Sequence, residues 1–141
     1  MIATELRYGI PDIDLAWSRG GSVNPSCFAG HQLVVLFLPK DPQGQHAEIE
    51  SYRKITEKLL GTDAWFLVVG DKSHVEDNAK TPVALDSDGA AWRSFTEIAG
   101  AEKLDRSTGA AFFFTRGGAF HQVWPGSGNA DAVAQELLSR S

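Results

Sequence analysis

The sequence predicts an α/β fold built on a mixed sheet, and three observations support this prediction. Apolar runs of strand length occur at residues 32–38, 64–69 and 110–115. Segments whose apolar residues recur at helical spacing separate these runs. A hairpin signal and one more helical segment close the chain. Strands that alternate with helices in this way form a helix-covered sheet whose central strands are buried on both faces.

The first half of the chain supplies two buried strands and a long helix. Residues 32–38 read QLVVLFL and the second apolar run reads AWFLVV, both rich in strand-forming side chains. Between them, Asp41 is suited to cap a helix and Pro42 to begin it. The helix is predicted to run to about Leu60, with Gly61 as its C-terminal stop. Its core-facing stripe is Ile49, Tyr52, Ile55 and Leu59.

The middle of the chain is predicted to hold a short strand between two other segments. Residues 71–80, DKSHVEDNAK, are predicted to form a short helix or a loop. Residues 82–86, PVALD, form the strand, because a proline is tolerated at the first position of a strand. Residues 88–100 form a helix whose inner face carries Trp92, Phe95 and Ala99.

The C-terminal part is predicted to contain a hairpin followed by a helix. The turn residues Arg-Gly-Gly at 116–118 separate two apolar runs, so residues 111–124 read as an antiparallel hairpin. A Pro-Gly pair ends it. Asn129 is suited to cap a last helix over residues 130–140. The inward-facing residues of that helix are Val133, Leu137 and Leu138.

Composition limits the classes of function that the chain can serve. With 141 residues, 43% of them hydrophobic and 22% charged, the chain is predicted to form one domain over residues 1–141. A net charge of −5 and a pI near 5.3 argue against binding to nucleic acid. No apolar run approaches the roughly 20 residues that span a bilayer, and charges at the N-terminus do not fit a signal peptide. The single cysteine, Cys27, excludes an internal disulfide, which favours a cytoplasmic location.

Four phrases of the sequence, in order, resemble the peroxiredoxins, the alkyl hydroperoxide reductase and thiol-specific antioxidant branch of the thioredoxin fold. The phrases are GIPDIDL, FAGHQLVVLFLPKD, PVALDSDGAAW and FFFTRGGAFHQVW, and together they span about residues 8–125. The resemblance implies a thioredoxin-like three-layer sandwich with a mixed sheet, a C-terminal hairpin and a helix. It also implies thiol-dependent reduction of peroxides, and a homodimer formed through loops near the active site.

The residue that this activity requires is missing from the expected position. Members of the family carry Pro-x-x-x-Thr/Ser-x-x-Cys after the first core strand. Aligned without gaps, Pro39 matches the proline, Gln43 the hydroxyl residue and His46 the thiol. A deletion of one residue instead places Gln45 at the thiol and aligns Glu48 with an acidic residue that the family often has there. Neither alignment supplies a sulfur atom.

The other part of the family's site is an arginine, for which Arg106 in DRST is the nearest match. In the family, the helix N-terminus and this arginine lower the pKa of the thiol. Peroxide reduction needs a thiolate that becomes a sulfenic acid, which neither glutamine nor histidine can form. The resemblance therefore predicts a vestigial pocket with no established catalytic residue. The amides at the helix N-terminus are expected to be unsatisfied and to suit an anion or a carbonyl oxygen.

Cys27 has two interpretations. It lies in SVNPSCFAG, ahead of the first core strand, in a predicted surface connection. It is either a small side chain without a chemical role or a redox-sensitive thiol. A Cys-x-x-Cys pair is absent, so thioredoxin-type disulfide exchange is excluded. No metal and no cofactor are predicted, because HVED and LDSDG lack calcium-loop spacing and the histidines lack zinc-site spacing. These histidines are His31, His46, His74 and His121.

Three functions remain open at this point. The first is a protein that binds a small molecule or another protein in a redox context, without peroxidase activity. The second is a thiol-dependent antioxidant oxidoreductase that uses Cys27 or an external thiol such as glutathione. The third is a structural interaction module. None of the three predicts contact with nucleic acid or with a membrane.

Overall fold

In the part of the chain that the structure describes, seven strands form one mixed sheet, which organises the protein. The structure is a computed structural model, and it describes residues 9–18, 20–70, 82–100 and 104–140. The strands are β1 (Leu15–Trp17), β2 (Ser22–Val23), β3 (Gln32–Phe37), β4 (Ala64–Gly70), β5 (Ala84–Leu85), β6 (Ala110–Phe114) and β7 (Phe120–Pro125). Their order across the sheet is β2-β1-β5-β4-β3-β6-β7.

Helices cover both faces of this sheet. They are α1 (Pro42–Lys58), α2 (Ala90–Ala99) and α3 (Ala130–Ser139), with a 3-10 turn at Pro25–Phe28. Helices α1 and α3 pack on one face, and α2 packs on the other together with the N-terminal segment. The predicted three-layer α/β sandwich with a mixed sheet is therefore confirmed.

Strand β3 lies inside the sheet, between β4 and β6, and is buried along its whole length. It pairs in parallel with β4 and antiparallel with β6. Val34 and Leu36 face α1 and α3, whereas Leu33, Val35 and Phe37 face α2. Because both faces are covered by helices, the strand carries apolar side chains from Leu33 to Phe37, and only Gln32 at its start is polar.

The hairpin and the helices agree with the prediction from the sequence except at their ends and at one helix face. Strands β6 and β7 pair antiparallel, with an irregularity between Phe113 and Phe114. Helix α1 ends at Lys58, slightly before the predicted Leu60, which is 82% exposed. Leu138 does not face inward as predicted, since it is 44% exposed. One residue turns a helix by about 100°, so Leu138 already lies on the outer side of α3 when its neighbour faces the sheet.

Two features near the N-terminus and one in the middle differ from expectation. The short β1–β2 hairpin and the 3-10 turn were not predicted, and the strand expected over residues 82–86 is only Ala84–Leu85. The predicted segment 71–80 lies outside the described residues. Across the ranges that the structure describes, none of the helices has the length and apolar character needed to cross a bilayer.

Candidate functional site

The junction between β3 and α1 is held in place from both sides. The N–H of Leu38 donates to the carbonyl of Val69 at 2.9 Å, and the N–H of Lys40 donates to the carbonyl of Ser107 at 2.9 Å. Pro39 between them is buried. The carboxyl ends of the parallel strands β3 and β4 meet at this edge, which is where open α/β sheets usually bind ligands.

The first turn of α1 caps itself. The Asp41 carboxylate accepts a hydrogen bond from the N–H of Gly44 at 2.9 Å, and the Asp41 carbonyl accepts one from the N–H of Gln45 at 2.9 Å. Pro42 has no N–H to offer. The cap therefore uses the N–H of Gly44, and an unsatisfied amide at this helix start stays a prediction for Gln43.

The residues suggested by the two alignments lie in different environments. Gln43 and His46 are exposed, whereas Gln45 is only 6% exposed. In a helix, adjacent residues point in directions about 100° apart, so Gln45 and His46 cannot both face the interior. Gln45 shares the buried face of α1 with Glu48. Which of the two positions corresponds to the family's thiol stays a prediction.

Arg106 reaches the same junction from the loop before β6. Its Nη1 donates to the carbonyl of Leu38 at 2.5 Å. Its guanidinium carbon lies 5.6 Å from the ring centre of Phe37 and 5.8 Å from that of Trp92. These contacts are in the range of cation–π interactions, so two aromatic rings hold the guanidinium beside Pro39.

The loop that carries Arg106 is fixed by its own hydrogen bonds and by a glycine. Asp105 accepts bonds from the backbone N–H and the hydroxyl of Ser107. These bonds, with a smaller contribution from Lys40, hold the pKa of Asp105 below its ordinary value. Gly109 has φ +79°, and a Cβ there would lie 2.3 Å from the carbonyl oxygen of Phe37. Only glycine therefore permits this close approach of the two strands.

Two polar side chains continue inward from Gln45 along α1. Glu48 is 4% exposed, and its Oε1 accepts a hydrogen bond from the N–H of Gly128 at 2.7 Å. Burial raises the pKa of Glu48, partly offset by that bond. Burial, and secondarily the charge of Glu48, raise the pKa of Tyr52. The Tyr52 hydroxyl is buried and has no hydrogen-bond partner among the described residues.

Cys27 lies at the other end of β3. It is exposed, in the 3-10 turn Pro25–Phe28 that precedes the strand. The six residues of β3 separate it from the junction by roughly 20 Å at the usual strand rise of about 3.3 Å per residue. The structure therefore does not bring Cys27 together with Pro39, Gln45 and Arg106.

The remaining candidates are engaged in local contacts. His31 Nδ1 lies 2.6 Å from Asp63, which also pairs with Arg116, and His121 contacts Arg140. His74 and the phrase HVED lie outside the described residues. Within the part of the chain that the structure describes, no three potential metal ligands from His, Cys, Asp and Glu lie together.

Sequence reasoning missed two residues that shape the site. The carboxylate of Asp86 accepts hydrogen bonds from the N–H groups of Ala91 and Trp92, so it caps α2. This cap places Trp92 against Arg106, although Trp92 was assigned only to the core. The phrase LDSDG did carry a signal, because an aspartate shortly before a helix often caps it. No local pattern indicated the contact with Arg106.

Comparison with known proteins identifies the fold type. No protein-family model and no curated protein match the chain. Peroxiredoxin Q from Xanthomonas campestris is 25% identical, with a TM-score of 0.72 and 92% of each chain covered. The bacterioferritin comigratory protein of the same organism is 24% identical, with a TM-score of 0.74, and 92% of this chain and 91% of that chain are covered. The chain therefore has a thioredoxin-like fold and is similar to peroxiredoxin Q over nearly its whole length.

A more distant match supports the same fold. The pneumococcal exposed lipoprotein thioredoxin of Streptococcus pneumoniae is 19% identical, with a TM-score of 0.69, and 92% of this chain and 99% of that chain are covered. The chain thus shares this fold along nearly its whole length. Its single cysteine, Cys27, does not lie at the β3–α1 junction.

Proposed function

We propose that this peroxiredoxin-like chain does not reduce peroxides and instead binds a small molecule or a protein at the β3–α1 junction. The proposed site consists of Pro39, Gln43, Gln45, His46 and Arg106. The observation that carries the proposal is the separation of the chain's only thiol from this junction by the length of β3.

The chemistry of the junction supports this proposal. Reduction of a peroxide requires a thiolate that attacks one oxygen and becomes a sulfenic acid. Gln45 lies in the first turn of α1 and is buried, but its carboxamide is not a nucleophile. Burial of Gln45 also favours the alignment that places this residue, and not His46, at the thiol position. The junction thus presents an arginine near the start of α1 but no sulfur atom.

A peroxide consumption assay tests the proposal. The wild-type protein is mixed with hydrogen peroxide and dithiothreitol, and in parallel with glutathione, and loss of peroxide is followed against a protein-free control. We expect no turnover above the control. Turnover that disappears in Cys27→Ser would contradict the proposal and support a thiol-dependent antioxidant oxidoreductase. Turnover that persists in Cys27→Ser and requires glutathione would support use of an external thiol.

The remaining expectations separate a binding protein from a structural module. A homodimer and a cytoplasmic location stay predictions from the resemblance and the composition. Light scattering over a range of protein concentrations measures the oligomeric state. A binding protein is expected to show a ligand-dependent rise in melting temperature, which is lost in Arg106→Ala. A purely structural module is expected to show no such rise with any small molecule.

A further inference from the structure

Glu48, Tyr52 and Gly128 form a buried polar cluster between α1 and the turn before α3, which we call the clasp. We propose that the clasp is a pH-sensitive device. The ionised Glu48 carboxylate holds the Gly128 amide, whereas the protonated carboxyl group donates to the Tyr52 hydroxyl and holds Gly128 less firmly. This device is independent of any ligand at the β3–α1 junction.

In its ionised state, Glu48 fastens α1 to the turn before α3. The side chain is 4% exposed, and its Oε1 accepts a hydrogen bond from the N–H of Gly128 at 2.7 Å. A bond of this length is typical of an ionised acceptor. Gly128 also lines a groove of about 420 Å³ between α1 and α3. The Glu48 carboxylate therefore positions one wall of that groove.

The surroundings of Glu48 do not neutralise its charge. Within the ranges that the structure describes, none of the ion pairs includes Glu48. The strands beneath α1 present apolar side chains to this face. The titratable side chains on the elements packed around Glu48 are Tyr52, Lys54 and Lys58 on α1, Asp131 and Glu136 on α3, and His121 on β7. Both lysines and Asp131 are exposed, and His121 pairs with Glu136 near the far end of α3. A carboxylate buried without a cation gains a proton more readily than one in water.

The Tyr52 hydroxyl can accept the hydrogen bond that protonation of Glu48 creates. Tyr52 is 3% exposed, and its hydroxyl has no hydrogen-bond partner among the described residues. It follows Glu48 by four residues, so the two side chains share one face of α1. Helical side chains lean towards the N-terminus, which brings Tyr52 towards Glu48. A carboxyl group that takes a proton from solvent becomes a donor, and the unpaired hydroxyl oxygen is its acceptor.

The first test follows the carboxyl group of Glu48 directly. Its side-chain carboxyl carbon is observed by NMR in protein labelled at glutamate, and the chemical shift is recorded against pH. We expect a midpoint above 4.5 in the wild type. In Tyr52→Phe, the midpoint should fall by about half a unit to one unit, because the protonated form loses its acceptor. Ile55→Val alters the same buried face without removing a polar group, and it should leave the midpoint unchanged.

The direction of the shift in Tyr52→Phe separates the clasp from burial alone. If Tyr52 only excluded water, the loss of its hydroxyl would leave the midpoint unchanged or raise it, since the surroundings of the carboxylate would become more apolar. Either result would overturn the proposal. An equal fall in Ile55→Val would also overturn it, because the shift would then come from altered packing.

The second test uses the wild-type protein, so it does not depend on the folding of a variant. The amide resonances of Gly126 and Gly128 are followed by NMR against pH. Both glycines belong to the turn before α3, but the N–H of Gly126 donates to the carbonyl of Gly109 at 2.9 Å. We expect the Gly128 amide proton to move upfield with the midpoint of Glu48, and the Gly126 resonance to stay in place. A Gly128 resonance that ignores this midpoint, or that moves together with Gly126, would overturn the proposal.

Discussion

The two ends of β3 differ in their functional groups and in the burial and contacts of the residues around them. At the C-terminal end, Pro39 is buried and Arg106 is held against two rings and a backbone carbonyl. At the N-terminal end, Cys27 is exposed in a short turn, and the neighbouring Trp65 is 48% exposed. The end that holds Arg106 contains no thiol, and Cys27 lies at the opposite end. The thiol and the arginine are therefore separated by the length of β3.

The largest expected effect on stability is at Gly109, which packs against the C-terminal end of β3. Gly109→Ala would place a Cβ 2.3 Å from the Phe37 carbonyl oxygen at a backbone φ of +79°. We expect a loss of about 2–4 kcal/mol in the free energy of unfolding, measured by urea denaturation. Gly118→Ala is the matched control, since it has φ +80° but nothing within 4 Å of the added atom. It is expected to lose only about 1 kcal/mol, and equal losses in the two variants would contradict the close approach.

A smaller effect is expected when Arg106 is removed. Arg106→Ala loses the bond to the Leu38 carbonyl and the contacts with Phe37 and Trp92. We expect the free energy of unfolding to fall by about 1–3 kcal/mol, with less than half of this restored in Arg106→Lys, because an ammonium lacks the planar fork. Arg93→Ala is the control, since Arg93 also donates to a carbonyl but is exposed. If Arg93→Ala lowered the free energy of unfolding as much as Arg106→Ala, the contacts of Arg106 with the two rings would contribute no additional stability.

The third prediction concerns the pH dependence that Glu48 introduces. Because burial raises the pKa of Glu48, the folded protein holds this proton more tightly than the unfolded chain. The stability from this group is complete below the unfolded value and is lost as the pH rises through the folded one. The free energy of unfolding of the wild type, relative to Glu48→Gln, should therefore fall as the pH rises above 4.5.

Urea denaturation at a series of pH values measures this difference. The control is Glu57→Gln, which removes an exposed carboxylate from the same helix. Its difference from the wild type is expected to show no comparable slope. A Glu48→Gln difference that stays constant with pH, or rises with it, would show that burial does not control this group.

The smallest effect is expected at the N-terminal end of β3. Cys27→Ser changes an exposed side chain in the 3-10 turn, so the free energy of unfolding should change by less than about 0.5 kcal/mol. The amide resonances of Gln43, Gly44 and Gln45 should not move, because the turn lies at the far end of the strand. Movement of these resonances would show that the two ends of β3 are coupled.

Much of the fold could be predicted because its signals are local. The unbroken apolar run of β3 and the Asp41-Pro42 helix start were both visible in the sequence and both agree with the structure. The β1–β2 hairpin was missed, since strands of three and two residues carry almost no periodicity. Leu138 was misplaced because helical spacing leaves the edge of a buried stripe ambiguous.

The site was less predictable because its contacts join distant parts of the chain. Arg106 was suggested only by resemblance, and no spacing rule indicated that it would lie against Trp92. The two possible alignments of the junction differ by one residue, and the match of Glu48 to the family's acidic residue does not by itself decide between Gln45 and His46. In the structure Gln45 is buried and His46 is exposed. This difference depends on how α1 packs against the sheet, which the sequence does not state.

The bond between Gly128 and Glu48 gives the protein a natural reporter. The Gly128 amide belongs to the turn before α3, yet its hydrogen-bond acceptor lies one helical turn beyond Gln45. Any ligand that shifts the start of α1 should alter the chemical shift and the hydrogen-exchange rate of this single amide. A glycine far along the chain can thus report on binding at the β3–α1 junction.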